Sequence, residues 1–384
     1  MLEKTVFTRQ EIINKIQEKY NISITKIEQE PRGSANIFYV YDNQGTKYVL
    51  KEFESACNQE NVIKEIKIIN HLKSNGIKVP NYIKTENQEY YFKYKNRTVI
   101  LMEFINGYTK ESNTGTTAQV IESAEILGKV AKSLENYEDL PEDLIEKWCN
   151  NNKLREGKKK FIQLLKRVDK LEESIQHGQQ LNLPSSEIFS KIKLDINQRM
   201  EIITSLEKMD FSEMTDLTLK NSHGDYSIMQ FIYKDEKVEA LLDFAKARKM
   251  PIAWEIIRSF TYIDKDSENG DINIENLLNY TKVVMKYISL TKCDLKWMPY
   301  FYLIQLVSSP FGYEEYLNDN SQKKLLEFAF WRCKMSKTLF EKSQEISGRI
   351  LQLLNQSNKG GLQHENSNNK TALGNINNPR RQKI

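Results

Sequence analysis

The apolar positions change pattern along the chain, and the changes mark out its elements. Ile12, Ile13, Ile16 and Tyr20 form one face of a short helix that Thr8 and Glu11 open as a capping box, a lid on the strands after it. β-branched and aromatic runs broken by Gly and Asn then predict three antiparallel strands at residues 22–27, 37–41 and 48–53. Turns fall at residues 31–35 and 42–45. Val62, Ile66, Ile69 and Leu72 make a helical stripe, and two further strands fit residues 90–94 and 98–104. Beyond Tyr108 the spacing is helical, first through Val120, Ala124, Leu127, Ala131 and Leu134. More helices fit residues 158–175, 185–209, 297–307 and 321–354, the third apolar nearly all round. One hairpin interrupts them: apolar runs at 229–233 and 238–242 flank the polar Lys234-Asp235-Glu236-Lys237.

Composition narrows the class. The chain has 384 residues, enough for two lobes with a substantial core, and a net charge of only +4 that calls for no nucleic-acid partner. No run of about 18 apolar residues occurs, which argues against a membrane span. The first twenty residues mix both charges without an apolar core, so no secretory signal is expected and a cytoplasmic setting follows. Cys57, Cys149, Cys293 and Cys333 are widely spaced, without a Cys-x-x-Cys pair, and read as reduced thiols. Beyond Asn355 the tail is rich in Asn, Gln, Ser, Gly and Lys and is expected to stay disordered.

The chemistry concentrates at residues 221–258. If the hairpin pairs Tyr233 with Val238, Gln230 falls opposite Leu241, with Asp243 just past the second strand and Asp225 on the loop entering the first. An amide oxygen and a carboxylate meeting there suit magnesium, a hard cation that keeps waters and phosphate oxygens among its ligands. A nearby carboxylate can accept the proton of an attacking hydroxyl, as in a kinase catalytic loop. His223 reads as a brace for that loop. Upstream, a helix packed on the sheet aims Glu65 at Lys51, the pair that holds a lysine against nucleotide phosphates.

HGDYSIMQ and LLDFAKARKMPIAWEI resemble the His-Gly-Asp-x-x-x-x-Asn and Ile-Asp-Phe segments of the aminoglycoside phosphotransferase and choline kinase-like superfamily, which includes kinase-like spore-coat proteins. The resemblance implies an α+β, two-lobed protein-kinase-like fold: a nucleotide-binding N-lobe over residues 1–104, a helical C-lobe over 105–355, and a tail over 356–384. It implies Asp225 as catalytic base and Gln230 and Asp243 as metal ligands for Mg2+. One position departs from the pattern: the family's asparagine is Gln230, which keeps the amide oxygen and adds a methylene.

Further matches extend the resemblance across residues 20–350. RGSANIFYV is similar to the family's glycine-containing loop, which implies that Gly33 and Ser34 lie over the phosphates of ATP. Gly76-Ile77-Lys78-Val79-Pro80 favours Glu65 over Glu60 as the partner of Lys51. Glu103 and Ile105 match the segment between the lobes whose backbone groups hold adenine. The expected activity is transfer of the γ-phosphate of ATP to a hydroxyl of a small-molecule substrate. A non-catalytic kinase-like scaffold is the alternative, motivated by Gln230 and the glycine-poor loop. A protein kinase fits less well, because residues 244–250 leave only seven positions for an activation segment. An acidic stretch (135–146) and a basic one (153–170) point to opposite substrates if either faces the acceptor, and both read first as solvated surfaces.

Overall fold

The computed structural model describes residues 3–30, 35–57, 59–143, 148, 151–176, 184–214 and 216–372, with only the backbone for 175–176 and 355–372. The fold is α+β. It opens with α1 (Arg9–Tyr20), where Thr8 and Glu11 form the expected capping box. β1 (Ile24–Glu30), β2 (Asn36–Asp42) and β3 (Lys47–Glu52) come next, then α2 (Gln59–Ser74), β4 (Phe92–Tyr94) and β5 (Arg97–Glu103). The five strands form one antiparallel sheet in the order β1-β2-β3-β5-β4.

Strand alternation divides the residues of this sheet between two faces. Phe38, Val40, Leu50 and Leu101 point one way and pack against Ile12, Ile16 and Tyr20 of α1. Each such fully buried aliphatic side chain contributes about 1.5–3 kcal/mol, so the short α1 belongs to the core of this lobe. Ile37, Val49 and Lys51 point the other way and line a cavity with Glu65 and Ile69 of α2. The site is therefore built on the face that α1 leaves open.

The second lobe is mainly helical: α3 (Thr117–Ser133), α4 (Asn152–Gln176) and α5 (Ser186–Leu206) precede the strands β6 (Leu219–Ser222), β7 (Phe231–Lys234), β8 (Lys237–Leu241) and β9 (Arg248–Pro251). Then come α6 (Ile252–Ile263), α7 (Ile274–Val284), α8 (Lys292–Ser308), α9 (Tyr313–Asn318) and α10 (Lys323–Ala372). α8 is buried almost all round, as its sequence predicts, and packs between α6 and α10. Arg199, inside the apolar stripe of α5, is fully buried and donates to the carbonyls of Leu306, Ser309 and Ala329 at 3.2, 3.0 and 2.7 Å. A guanidinium there satisfies carbonyls that the end of α8 leaves open. α10 carries its helical backbone to Ala372, past the point at Asn355 where composition predicts loss of order. Among the described residues no helix is long and apolar enough to cross a membrane.

Two features of this lobe depart from the expected pattern. The hairpin turn is two residues, Asp235-Glu236, with Lys234 paired to Lys237 and left-handed φ of 47° and 61° at the turn, as a right-twisted ribbon favours. Tyr233 pairs with Val238 as predicted, but Ile232 pairs with Ala240, so Glu239 is an extra residue, a β-bulge. The bulge moves the register by one. Gln230 therefore lies opposite Leu242, whose N–H donates to its carbonyl at 2.8 Å, and not opposite Leu241. β6 and β9 also pair, in a ribbon that delivers Pro251 as the N-cap of α6.

Candidate active site

A cavity of about 710 Å³ lies between the sheet and the β7–β8 ribbon, with Lys51, Glu65, Glu103, Ile105, Gln230 and Asp243 among its lining residues. The connection after β5 is fastened to the ribbon by Tyr108 and Tyr233, which exchange backbone hydrogen bonds at 2.9 and 2.8 Å. Gly107 is needed there, since a Cβ would meet the Tyr233 carbonyl oxygen at 2.4 Å. Close backbone contact thus brings the segment carrying Ile105 onto the ribbon that carries Gln230.

On the sheet side, Lys51 Nζ lies 3.7 Å from Glu65 Oε1. Glu65 is buried and also accepts from the Tyr82 hydroxyl at 3.3 Å. Burial works against the Lys51 charge, but Glu65 and then Asp243 more than offset it, so its pKa lies above the usual lysine value. The lysine is a fixed cation beside the cavity. Glu103 binds back to Asn81: its N–H donates to the Asn81 carbonyl at 3.0 Å, and its carboxylate accepts the Asn81 N–H at 3.1 Å. Gly33 and Ser34 lie outside the described residues.

On the helical side, His223, Gly224 and Asp225 follow β6 as a loop braced from three directions. The His223 ring is fully buried; its Nε2–H donates to the Leu242 carbonyl at 2.8 Å, and the Asp225 N–H donates to its Nδ1 at 3.3 Å. One imidazole therefore links Asp225 to the residue before Asp243. Gly224 has φ of 80°, and a Cβ there would sit 2.1 Å from the Lys246 carbonyl oxygen. Only glycine permits this approach. From below, buried Glu255 of α6 accepts the N–H groups of His223 and Gly224 at 3.0 and 2.6 Å. Burial raises the pKa of Glu255, and the neighbouring His223 and the Gly224 amide offset only part of that rise.

Asp225 itself is 41% exposed at its side chain and accepts from Arg258 Nη2 at 2.5 Å. Asp243 adopts a left-handed φ of 57°, a conformation aspartate tolerates, and its Oδ1 takes the Ala245 N–H at 3.4 Å. Among the described residues no group of three or more His, Cys, Asp or Glu is arranged to hold a metal. Where the ribbon meets the cavity, its wall carries one amide and one carboxylate, Gln230 and Asp243. That donor set fits a hard cation that draws its other ligands from water and phosphate, as Mg2+ does, and does not fit a thiolate- or imidazole-bound metal.

Both charge runs include side chains that pair with the opposite sign. Glu142 and Asp143 of the acidic stretch pair with Lys249 and Arg248 at 3.1 and 3.5 Å, while Lys158 of the basic stretch meets Glu207 at 3.2 Å. Glu255 and Arg258 are the site residues that periodicity and motif spacing did not assign. Their signal is present all the same: they are the only charges in the apolar α6, and buried charges require partners.

A family model described as a phosphotransferase enzyme family matches residues 26–274. Among solved structures, the aminoglycoside phosphotransferase of Alicyclobacillus acidocaldarius shares 16% identity at a TM-score of 0.59, covering 90% of this chain and 98% of its own. A spectinomycin phosphotransferase in complex with ADP and spectinomycin shares 13% at 0.56, covering 90% and 99%. An amicoumacin kinase in complex with AMP-PNP, Ca2+ and its Ami ligand shares 13% at 0.54, covering 88% and 94%. At these identities the likeness establishes a common fold. A search of curated proteins returns no match.

Proposed function

The chain belongs to the phosphotransferase enzyme family, and from that premise we propose that it transfers the γ-phosphate of ATP to a hydroxyl group of a small molecule. The observation that carries the reading is the grouping of Lys51, Glu65, Gln230 and Asp243 around one cavity, with Asp225 tied through His223 to the strand end that carries Asp243. The solved relatives with ADP or AMP-PNP bound favour a nucleotide as donor.

Each residue then has a role. Asp225 takes the proton of the acceptor hydroxyl while its oxygen attacks the γ-phosphorus; the bond from that phosphorus to the β-phosphate oxygen breaks, and ADP leaves. Lys51, oriented by Glu65, neutralises the α- and β-phosphates. The backbone at Glu103 and Ile105 holds the base. Gln230 and Asp243 would hold Mg2+, which when bound neutralises charge on the phosphate oxygens. The chain's own contribution is placement and electrostatics. In this reading residues 1–104 carry the nucleotide, 105–355 the acceptor, and the protein works in the cytoplasm.

The test is ADP release from magnesium–ATP against a panel of amino sugars, amino alcohols and neutral sugars. An acceptor that raises the rate is expected, and D225N should cut turnover with it by about 10²–10⁴-fold while ATP affinity stays within about twofold. A D225N protein at full rate removes the base assignment. No ATP-dependent rise in melting temperature and no ADP release with any acceptor favours the non-catalytic scaffold.

A further inference from the structure

We infer that Arg258 is a positioning residue for the catalytic carboxylate, holding one oxygen of Asp225 so that the other is presented to the acceptor. The inference rests on Asp225 being the base. Trp254, Arg258 and Tyr262 succeed one another at a spacing of four along α6 and therefore share a face. The guanidinium carbon lies 5.3 Å from the Trp254 ring centre and 4.5 Å from that of Tyr262, which fixes the group between two aromatic side chains. From there Nη2 donates to Asp225 Oδ1 at 2.5 Å and Nη1 to the Tyr226 carbonyl at 3.3 Å. One planar cation thus holds both the carboxylate and the backbone beside it.

The other arginines buried in this lobe behave differently. Arg199 donates to three backbone carbonyls, and Arg332 to the Ser309 hydroxyl and the carbonyls of Phe311 and Gln305. Those contacts join helices. Arg258 instead directs its shortest bond to a side chain that is 41% exposed while its own is 12% exposed. A buried cation whose partner faces solvent contributes little packing at that partner, but it removes the carboxylate's freedom to turn. An aspartate that rotates freely presents its lone pair to the acceptor only part of the time, and a misplacement of about 1 Å can cost about 100-fold in rate.

The experiment uses the full chain as R258M, R258K, D225N and the R258M/D225N double variant. ADP release from magnesium–ATP with water as acceptor is measured beside ADP affinity, melting temperature and a crystal structure of R258K. R258M should slow hydrolysis about 10–100-fold with ADP affinity within about twofold. R258K should recover part of the rate, and the double variant should be no slower than D225N, because the arginine acts only through that carboxylate. R258M within twofold of wild type while D225N is slow overturns the inference, as does a double variant whose losses multiply. If R258M does not fold, R258K decides: Asp225 unmoved in its crystal structure and a full rate also overturn the inference. D225N as fast as wild type removes the base assignment itself, and this inference with it.

Discussion

The two ion pairs of the site are built in different ways. Lys51 and Glu65 come from a strand and a helix whose periodicity already points them at each other, and they meet at 3.7 Å with side chains 14% and 4% exposed. Asp225 and Arg258 meet at 2.5 Å, but the aspartate stands on an irregular loop and the arginine on a helix apolar on nearly every side. In the first pair, regular secondary structure does the positioning. In the second, buried polar contacts do it: Glu255 on the backbone of the loop, His223 between Asp225 and Leu242, and Arg258 on the carboxylate. A loop held that way depends on a few side chains, whereas a strand position depends on a whole sheet.

Cutting the brace is the strongest way to break that contrast. E255A leaves the N–H groups of His223 and Gly224 buried without an acceptor, at about 1–3 kcal/mol each. It should therefore lower stability by about 3–5 kcal/mol in urea unfolding. E255Q, which keeps an acceptor oxygen, should lose no more than about half of that. A loss below about 1 kcal/mol for E255A would mean that the loop is held by its other contacts. On the sheet side the corresponding change acts on turnover. K51M should reduce kcat/KM for ATP by about 10–100-fold. E65Q should reduce it less, since Asp243 also supports the Lys51 charge. Equal losses in steady-state kinetics would show that Glu65 alone holds the lysine.

The same contrast explains what could be read in the sequence. The strands of the sheet and the stripe of α2 arise from period two and period 3.6, the family resemblance favours Glu65 over Glu60 beside Lys51, and the structure brings that pair together. The Tyr233–Val238 pairing was readable from the polar turn, but the bulge at Glu239 was not, because nothing in Val238-Glu239-Ala240 departs from an ordinary strand. The β6–β9 ribbon was hidden as well. Its strands, LKNS and RKMP, are four residues each and carry Asn, Lys and Pro where strand formers are expected. α7, opened by Asn273 as a side-chain cap, passed unassigned between two stronger signals. Arg258 and Glu255 were legible only as anomalies, two charges in a helix with no polar face, and such anomalies name a need for partners without saying which.

The far end of α6 sharpens the comparison by supplying a buried carboxyl with one oxygen held, by Asn276 at 3.4 Å, and the other left without a partner among the described residues. Asp264 caps the helix C-terminus at 1% exposure, and its Oδ2 has no hydrogen-bond partner among the described residues. The carbonyl end of a helix already disfavours negative charge. Burial first, and then the neighbouring Asp266, push its pKa from 3.8 up to about 6. A carboxyl whose folded pKa exceeds its unfolded value binds more protons in the folded state. Its contribution to stability is therefore complete below about 3.8 and is lost as pH rises through about 6. A rise of that size corresponds to roughly 1–3 kcal/mol at neutral pH. D264N removes the titration, so the difference in unfolding free energy between variant and wild type should shift in the variant's favour by that amount from pH 4 to pH 7.5. Urea unfolding across that range measures it. A difference that stays flat with pH would show that Asp264 titrates as an ordinary carboxylate.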